Sequence, residues 1–345
     1  MIYCTVGVPS RFSEWCEALL RALVAAAGQP AEQIAADSLD QIGQELLARN
    51  RAATIIVIRQ PKAALARALI AAGCPLIVTL DAPEHLLASL MADYGMPVGE
   101  AVRTAANSLC AITPLLKAEH ALVLRESDGL SDRAVASAIA AHLGLASDVA
   151  AIEQVVAQCQ CRPAALLEAG IGAEPAPDLL PPSEWTRSIG TQTVQQSALF
   201  PLWAQMTGKP LDTIVWKPSL FFLGDHPGKP ATQAIDVTGA GRCLIYGPYI
   251  RLPEGPWSCS VVFAGSERAV GLKLVADAFA GALLNQVSFA ITEPGLFEIE
   301  FSFVNANPDI PVEIRLFSAA ASFEGEIALG QVQMTPLKVR RLKVA

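Results

Sequence analysis

Polar and charged residues follow each predicted strand in the first half of the sequence. They occupy four segments, residues 7–13, 59–62, 81–89 and 125–128. In an open α/β sheet a ligand binds beyond the carboxyl ends of the strands, so these segments are expected to line one site. The first segment carries a glycine, an arginine and hydroxyl side chains just before a helix. These positions are therefore the ones at which a bound ligand would be contacted.

Short apolar strands alternate with helices through the first 150 residues. The predicted strands are residues 2–6, 53–58, 75–80 and 121–125. Helices are predicted from Ser13, which is a candidate N-cap, and from Pro83 and Ser131, with others between the strands. Apolar strands separated by helices indicate a mainly parallel sheet covered on both faces. The first half is therefore predicted to be an α/β domain.

The four segments, taken in order, resemble the P-loop sulfotransferases. Each piece is short, and the similarity comes from their order and spacing over roughly residues 1–150. Residues 7–13 look like the family's Gly-x-Pro-Arg-Ser-Gly-Thr loop, and residues 58–61 look like its Lys-x-Pro strand end. Residues 76–83 together with Ser89 resemble its Arg-Asp-Pro and Ser pair. Residues 122–130 and 142–145 are similar to a strand, a turn and a helix end of bacterial members.

This resemblance implies a nucleotide site and a transfer reaction. The family moves sulfate from 3′-phosphoadenosine 5′-phosphosulfate to an acceptor. If a nucleotide binds, the matching positions imply Gly7, Arg11, Ser13, Arg59 and Ser89 as its contacts.

The loop also departs from the family pattern at positions that matter for an anion. Phe12 stands in place of the second glycine, and Ser10 in place of the arginine. Arg11 is one residue out of register, which turns a helical side chain by about 100°. Asp81 replaces an arginine, so a carboxylate would face a dianion. The sequence therefore predicts a degenerate site with no cofactor.

Several of these residues have an ordinary structural explanation. Ser13 is a natural helix N-cap, and Arg59 is a natural surface charge at a strand end. His85 is a candidate general base one turn before Ser89, although an exposed helix histidine is the commoner case. No catalytic residue is assigned beyond this candidate, and no metal site is predicted.

In the second half of the sequence, apolar residues recur at every second position. Phe297, Ile299 and Phe301 alternate with glutamates, and the pattern repeats at 312–316. Seven short strands at this spacing predict an antiparallel sandwich or jelly roll. The predicted strands are residues 243–250, 257–263, 270–277, 284–291, 296–304, 311–317 and 323–335. The predicted division is an α/β domain over 1–170, a linker and packing helix over 171–217, and an all-β domain over 218–345.

The all-β half is similar to carbohydrate-binding-module-like jelly rolls that are appended to bacterial glycan-synthesis proteins. The similarity is carried by residues 235–239, 244–250 and 252–257. It implies that Tyr246, Tyr249 and Trp257 form an aromatic platform on which a sugar stacks. The alternative is that these rings belong to the core or edge of the sandwich.

Composition excludes some classes of partner. The net charge is −8 and no basic stripe is present, which argues against a nucleic-acid partner. Apolar residues make up 52% of the chain, but no run is long enough for a membrane span. Eight cysteines lie scattered, with only Cys159 and Cys161 close together. Free thiols in a reducing, cytoplasmic setting explain this distribution better than a metal or disulfide.

Three hypotheses follow for function. The leading one is a degenerate sulfotransferase-like protein of bacterial surface-polysaccharide synthesis that binds a glycan or partner proteins. The second is an active, divergent sulfotransferase that uses 3′-phosphoadenosine 5′-phosphosulfate on a glycan acceptor. The third is a structural subunit whose apolar, alanine-rich surfaces pack into a homo-oligomer.

Overall fold

The computed structural model describes residues 1–29, 31–47, 53–145, 148–159, 179 and 192–337. Contacts between residues divide the chain into two compact units. The first contains Met1–Pro97 and Ser108–Ala169, and the second contains Val98–Asn107 and Gly170–Ala345. Of the predicted linker and packing helix over 171–217, the described residues are 179 and 192–217, and Cys161 also lies outside the described residues.

The first unit is built on a five-stranded parallel sheet. Its strands are β1 (Ile2–Gly7), β2 (Ala31–Ala35), β3 (Ala53–Ile58), β4 (Leu76–Leu80) and β5 (Ala121–Arg125), in the order β2-β3-β1-β4-β5. Every neighbouring pair in this sheet is parallel. The α/β prediction is confirmed, and the carboxyl ends of β3, β1, β4 and β5 lie side by side at one edge.

Helices connect and cover these strands. They are α1 (Arg11–Ala26), α2 (Leu39–Leu47), α3 (Ala63–Ala72), α4 (Pro83–Ala92), α6 (Asp132–His142) and α7 (Val149–Gln158). Helix α5 (Val98–Ile112) is divided, because its residues Val98–Asn107 belong to the second unit. The core beside α1 contains Trp15, Leu19, Ile55 and Ile139, all buried. The predicted starts of α4 at Pro83 and of α6 after Ser131 are confirmed, and the Ser131 side chain accepts a hydrogen bond from the Ala134 N–H.

Two local features differ from the sequence prediction. Strand β2 was not predicted because only Ile34 of its five residues is buried, so it lacks an apolar run. The N-cap of α1 is Ser10 rather than Ser13, and the Ser10 Oγ accepts a hydrogen bond from the Ser13 N–H at 3.1 Å. The extended backbone of Ser10 is the usual N-cap conformation, whereas Ser13 lies within the first turn of α1.

The second unit is a β-sandwich. Its strands are β6 (Ile214–Trp216), β7 (Phe222–Leu223), β8 (Ile235–Asp236), β9 (Cys243–Tyr246), β10 (Pro248–Ile250), β11 (Gly255–Gly265), β12 (Lys273–Phe279), β13 (Leu283–Ala290), β14 (Gly295–Asn305), β15 (Val312–Ser318) and β16 (Glu326–Pro336). They form two antiparallel sheets that enclose an apolar interior. Two short helices, α8 (Val194–Ala198) and α9 (Phe200–Met206), precede them and lie within 171–217, where a linker and a packing helix are predicted.

The two sheets contribute to one core. One sheet has the order β13-β12-β15-β9-β7, with β10 beside β15, and the other has the order β14-β11-β16-β6, with β8 beside β16. A small internal cavity is lined by Ala276 and Leu316 from the first sheet and by Val261 and Val332 from the second. The sheets therefore pack face to face, which confirms the predicted sandwich.

No helix within the described residues combines the length and the apolar character that crossing a bilayer requires.

Buried and exposed side chains alternate along β14, and this alternation allows a test of which face of the strand lies in the core of the sandwich. Phe301 is 8% exposed, while Val304 on the opposite face of the same strand is 60% exposed. We expect Phe301→Ala to lower the unfolding free energy by about 3–5 kcal/mol, because it leaves a cavity in the core. The control Val304→Ala should change it by less than about 0.5 kcal/mol. Urea denaturation of the full chain measures both, and equal losses would contradict the assigned faces.

Candidate functional site

The side chains of Ser13 and Thr79 fill the space beside Gly7 at the end of β1. A Cβ atom on Gly7 would lie 2.0 Å from the Thr79 Oγ1 and 2.7 Å from the Ser13 Oγ. These two hydroxyls fill the space beside the glycine, and the Thr79 Oγ1 donates a hydrogen bond to the Ser13 Oγ at 2.8 Å. Ser13 is fully buried. Gly7 therefore makes room for a Ser13–Thr79 contact, and the Ser13 hydroxyl is turned into the protein.

Arg59 meets Gly7 and the buried face of α1 from the end of the adjacent strand. Its Nη1 lies 2.7 Å from the Glu17 Oε1, and it also donates to the Gly7 carbonyl oxygen at 3.4 Å. The Glu17 side chain is 6% exposed and that of Arg59 is 24% exposed. The positive charge expected to hold an anion is thus neutralised by a buried carboxylate of the same unit.

The protonation of Glu17 reflects this burial. Desolvation raises the pKa of Glu17 above its ordinary value, and the attraction of Arg59 only partly opposes that rise. For the Glu17 carboxyl, the loss of water therefore outweighs the attraction of Arg59.

Arg11 is also paired within the unit, although nearer to solvent. Its Nε and Nη2 donate to the two carboxylate oxygens of Asp93 at 2.7 and 2.6 Å. The bidentate contact with Arg11 lowers the pKa of the Asp93 carboxyl. The neighbouring Tyr94 hydroxyl donates to Glu14 in the first turn of α1. The start of α1 is therefore lined by two acidic residues and their partners.

Asp81 and Ser89 are both buried beside this segment. Asp81, directly after β4, is 2% exposed and Ser89 in α4 is 4% exposed. A carboxylate thus lies buried where the resemblance to sulfotransferases implies an arginine. Such a group disfavours the approach of a second negative charge in a low-dielectric site.

His85 forms a pair with an acid from the next strand end. Its Nδ1 lies 2.7 Å from the Glu126 Oε2, and the His85 side chain is 35% exposed. A carboxylate beside one ring nitrogen fixes the orientation of the imidazole and leaves the other nitrogen as a possible proton acceptor. Sequence reasoning gave His85 no partner, because Glu126 is 41 residues away in the chain.

The predicted residues of the second unit fall into two places. Trp257 is 2% exposed, and its indole N–H donates to the Pro253 carbonyl oxygen at 3.1 Å. This burial leaves no ring face for a sugar, so the alternative of a core aromatic describes Trp257. Tyr246 and Tyr249 are half-buried, and their rings meet edge to face at 6.1 Å.

Tyr249 has an unusual backbone that its neighbours hold in place. Its φ of 64° is in the left-handed region, which is uncommon for a residue other than glycine. The Asn107 side chain donates to the Tyr249 carbonyl oxygen at 3.2 Å and accepts from the Arg251 N–H at 2.7 Å. The Tyr249 hydroxyl contacts Glu313, and burial raises the pKa of Tyr249 to about 12.

Comparison with known proteins supplies only distant likenesses. No protein-family model matches the sequence, and no curated protein matches it. Among solved structures, a mouse sulfotransferase complexed with PAP matches at 11% identity and a TM-score of 0.36, over 46% of this chain and 63% of the mouse chain. The chain therefore spans less than two thirds of that enzyme.

Carbohydrate-binding modules match with similarly low scores. The C-terminal CBM6 of a marine laminarinase from Zobellia galactanivorans has 12% identity and a TM-score of 0.25, over 36% of this chain and 99% of the module. A family 35 carbohydrate-binding module from Clostridium thermocellum has 10% identity and a TM-score of 0.26, over 36% and 98%. Such values carry no conclusion about what this chain binds or catalyses.

The buried pair of Glu17 and Arg59 can be tested by a double-mutant cycle. We expect Arg59→Met to lower the unfolding free energy by about 2–3 kcal/mol at neutral pH, because Glu17 is left buried without a cation. The double variant with Glu17→Gln should recover most of this loss. As a control, Arg133→Met should cost less than about 0.5 kcal/mol, because its pair with Glu153 is exposed. Additive single losses in urea denaturation would contradict the coupling.

The pH dependence of Glu17 gives an independent check. Because the folded pKa is above the ordinary value of 4.5, the folded chain binds the extra proton. The contribution of Glu17 to the unfolding free energy is therefore complete below the unfolded pKa and declines as pH rises through the folded pKa. The stability of the native chain relative to Glu17→Gln should fall across this window. A relative stability that rises with pH would show that Arg59 outweighs the desolvation.

Proposed function

We propose that this chain is a degenerate, sulfotransferase-like protein that acts in bacterial surface-polysaccharide synthesis by binding a glycan or partner proteins. The observation that carries the proposal is the buried contact between Arg59 and Glu17 at the strand end where a nucleotide phosphate would bind. The Arg59 guanidinium already forms an ion pair with the buried Glu17 carboxylate.

The other groups that could bind an anion also have partners within the first unit. Arg11 is held by both carboxylate oxygens of Asp93, and the Ser13 hydroxyl accepts from Thr79. The Ser13 N–H donates to the Ser10 side chain. A phosphate arriving here would have to displace each of these contacts and approach the buried Asp81. Each lost partner costs free energy that a bound anion would first have to offset.

The β-sandwich is the part proposed to bind. Its half-buried tyrosines, Tyr246 and Tyr249, form one aromatic cluster with Phe222, whose ring lies 5.6 Å from that of Tyr246. Aromatic rings with polar tips provide both an apolar face and hydrogen bonds, which suits a saccharide. Binding without chemistry would make the first unit a scaffold that retains its fold after losing its cofactor.

Calorimetric titration of the full chain with 3′-phosphoadenosine 5′-phosphate tests the loss of the nucleotide site. We expect no binding at ligand concentrations up to about 1 mM, because the anion-binding groups are internally paired. Micromolar binding that disappears in Arg59→Met would contradict the proposal and restore the enzyme hypothesis. Arg133→Met, whose ion pair lies elsewhere in the unit, is the matched control.

A second candidate function is favoured by the His85–Glu126 pair. An oriented imidazole at the carboxyl edge of the sheet can accept a proton from an acceptor hydroxyl, so a divergent sulfotransferase would use His85 as its base. This hypothesis expects sulfate transfer from 3′-phosphoadenosine 5′-phosphosulfate to a glycan, lost on His85→Gln. Absence of transfer, of nucleotide binding and of glycan binding together would favour the structural-subunit hypothesis.

A further inference from the structure

A helical segment from the first half of the chain belongs to the second unit. Val98–Asn107, the first ten residues of α5, groups with the β-sandwich. The Asn107 amide binds the backbone on both sides of Ile250, as described above. Gly99 lies close to the Ser219 carbonyl oxygen, which is 3.1 Å from the position a Cβ would take. The segment is thus attached to the sandwich at both of its ends.

Arg103 lies on this segment and faces the aromatic cluster. Its guanidinium carbon is 4.8 Å from the centroid of the Phe222 ring, and its Nη1 donates to the Leu220 carbonyl oxygen at 3.4 Å. Arg103 is half-buried, and desolvation lowers its pKa despite the opposing influence of Glu100. The protein therefore holds a partly desolvated positive charge against an aromatic ring.

This arginine differs from those arginines of the described residues that form ion pairs. Arg11, Arg59 and Arg133 each have a carboxylate within 4 Å, as do Arg242, Arg268 and Arg315 elsewhere in the described part of the chain. Across the described ranges, Arg103 has no such ion pair; its contacts are one long hydrogen bond and the Phe222 ring. A half-buried cation without a paired carboxylate attracts an anion more strongly than an exposed one, because water screens it less.

The neighbouring rings complete the arrangement. Phe222 lies 5.6 Å from Tyr246 and 6.3 Å from Tyr249 between ring centroids. The acid in contact with this cluster is Glu313, whose carboxylate is occupied by the Tyr249 hydroxyl. The cluster therefore offers partly exposed aromatic surface next to a guanidinium that forms no ion pair within the described residues, although Glu100 lies near enough to raise its pKa.

We infer that Arg103 and the aromatic cluster of Phe222, Tyr246 and Tyr249 form a subsite for an acidic saccharide, with the guanidinium binding a uronate carboxylate and the rings contacting the sugar. A planar guanidinium matches a carboxylate with two parallel hydrogen bonds, and an aromatic ring suits the apolar face of a pyranose. The inference rests on the proposed glycan binding and adds the class of glycan.

The test compares two tetrasaccharides of the same linkage. The full chain is titrated with cellotetraose and with its C6-oxidised counterpart, tetraglucuronate. We expect tetraglucuronate to bind about tenfold more tightly, which corresponds to about 1.4 kcal/mol. Arg103→Met should reduce this preference to less than about twofold, Arg103→Lys should keep part of it, and Arg133→Met should leave it unchanged.

The salt dependence of the native chain keeps the inference testable if Arg103→Met fails to fold. The preference for tetraglucuronate should shrink between about 20 mM and about 500 mM NaCl, because the contact is partly open to solvent. Equal affinity for both saccharides, or a preference that Arg103→Met and salt leave intact, overturns the acidic subsite while glycan binding stands. If neither saccharide binds, the acidic subsite is overturned, and the proposed glycan binding loses its support.

Discussion

The contact between Glu17 and Arg59 determines what the first unit can do. It joins the buried face of α1 to the end of β3 and pairs the guanidinium that donates to the Gly7 carbonyl oxygen with a buried carboxylate. Because Glu17 is nearly inaccessible, the arginine cannot leave without exposing an uncompensated charge to a low-dielectric interior. At this edge of the sheet, Arg59 and Ser13 therefore have partners within the unit.

The remaining contacts of that edge follow one principle. Each group suited to an anion has a partner on a neighbouring element: Arg11 with Asp93, Ser13 with Thr79, and His85 with Glu126. These partners come from strands or helices that the parallel sheet brings together. The polar groups of this edge thus contribute to the stability of the unit.

The fold class could be predicted from the sequence, whereas the side-chain pairs at the edge of the sheet could not. Apolar runs and turn residues located β3, β4 and the long strands of the sandwich, because burial on one or both faces leaves a periodic trace. Strand β2 left none, since its exposed positions carry Glu32 and Gln33. The partners of Arg11 and His85 are 82 and 41 residues distant, and no local pattern records such contacts. The burial of Trp257 was likewise invisible, because a core and a platform require the same kind of residue.

The attachment of Val98–Asn107 to the sandwich has a consequence for how the chain is made. The ribosome synthesises Val98–Asn107 long before β9 to β16. During synthesis this segment is therefore present before the strands that it contacts in the second unit. The C-terminal half on its own would lack the Asn107 side chain that binds the backbone on either side of Ile250. The second unit therefore contains a helical segment that is synthesised before all of its strands.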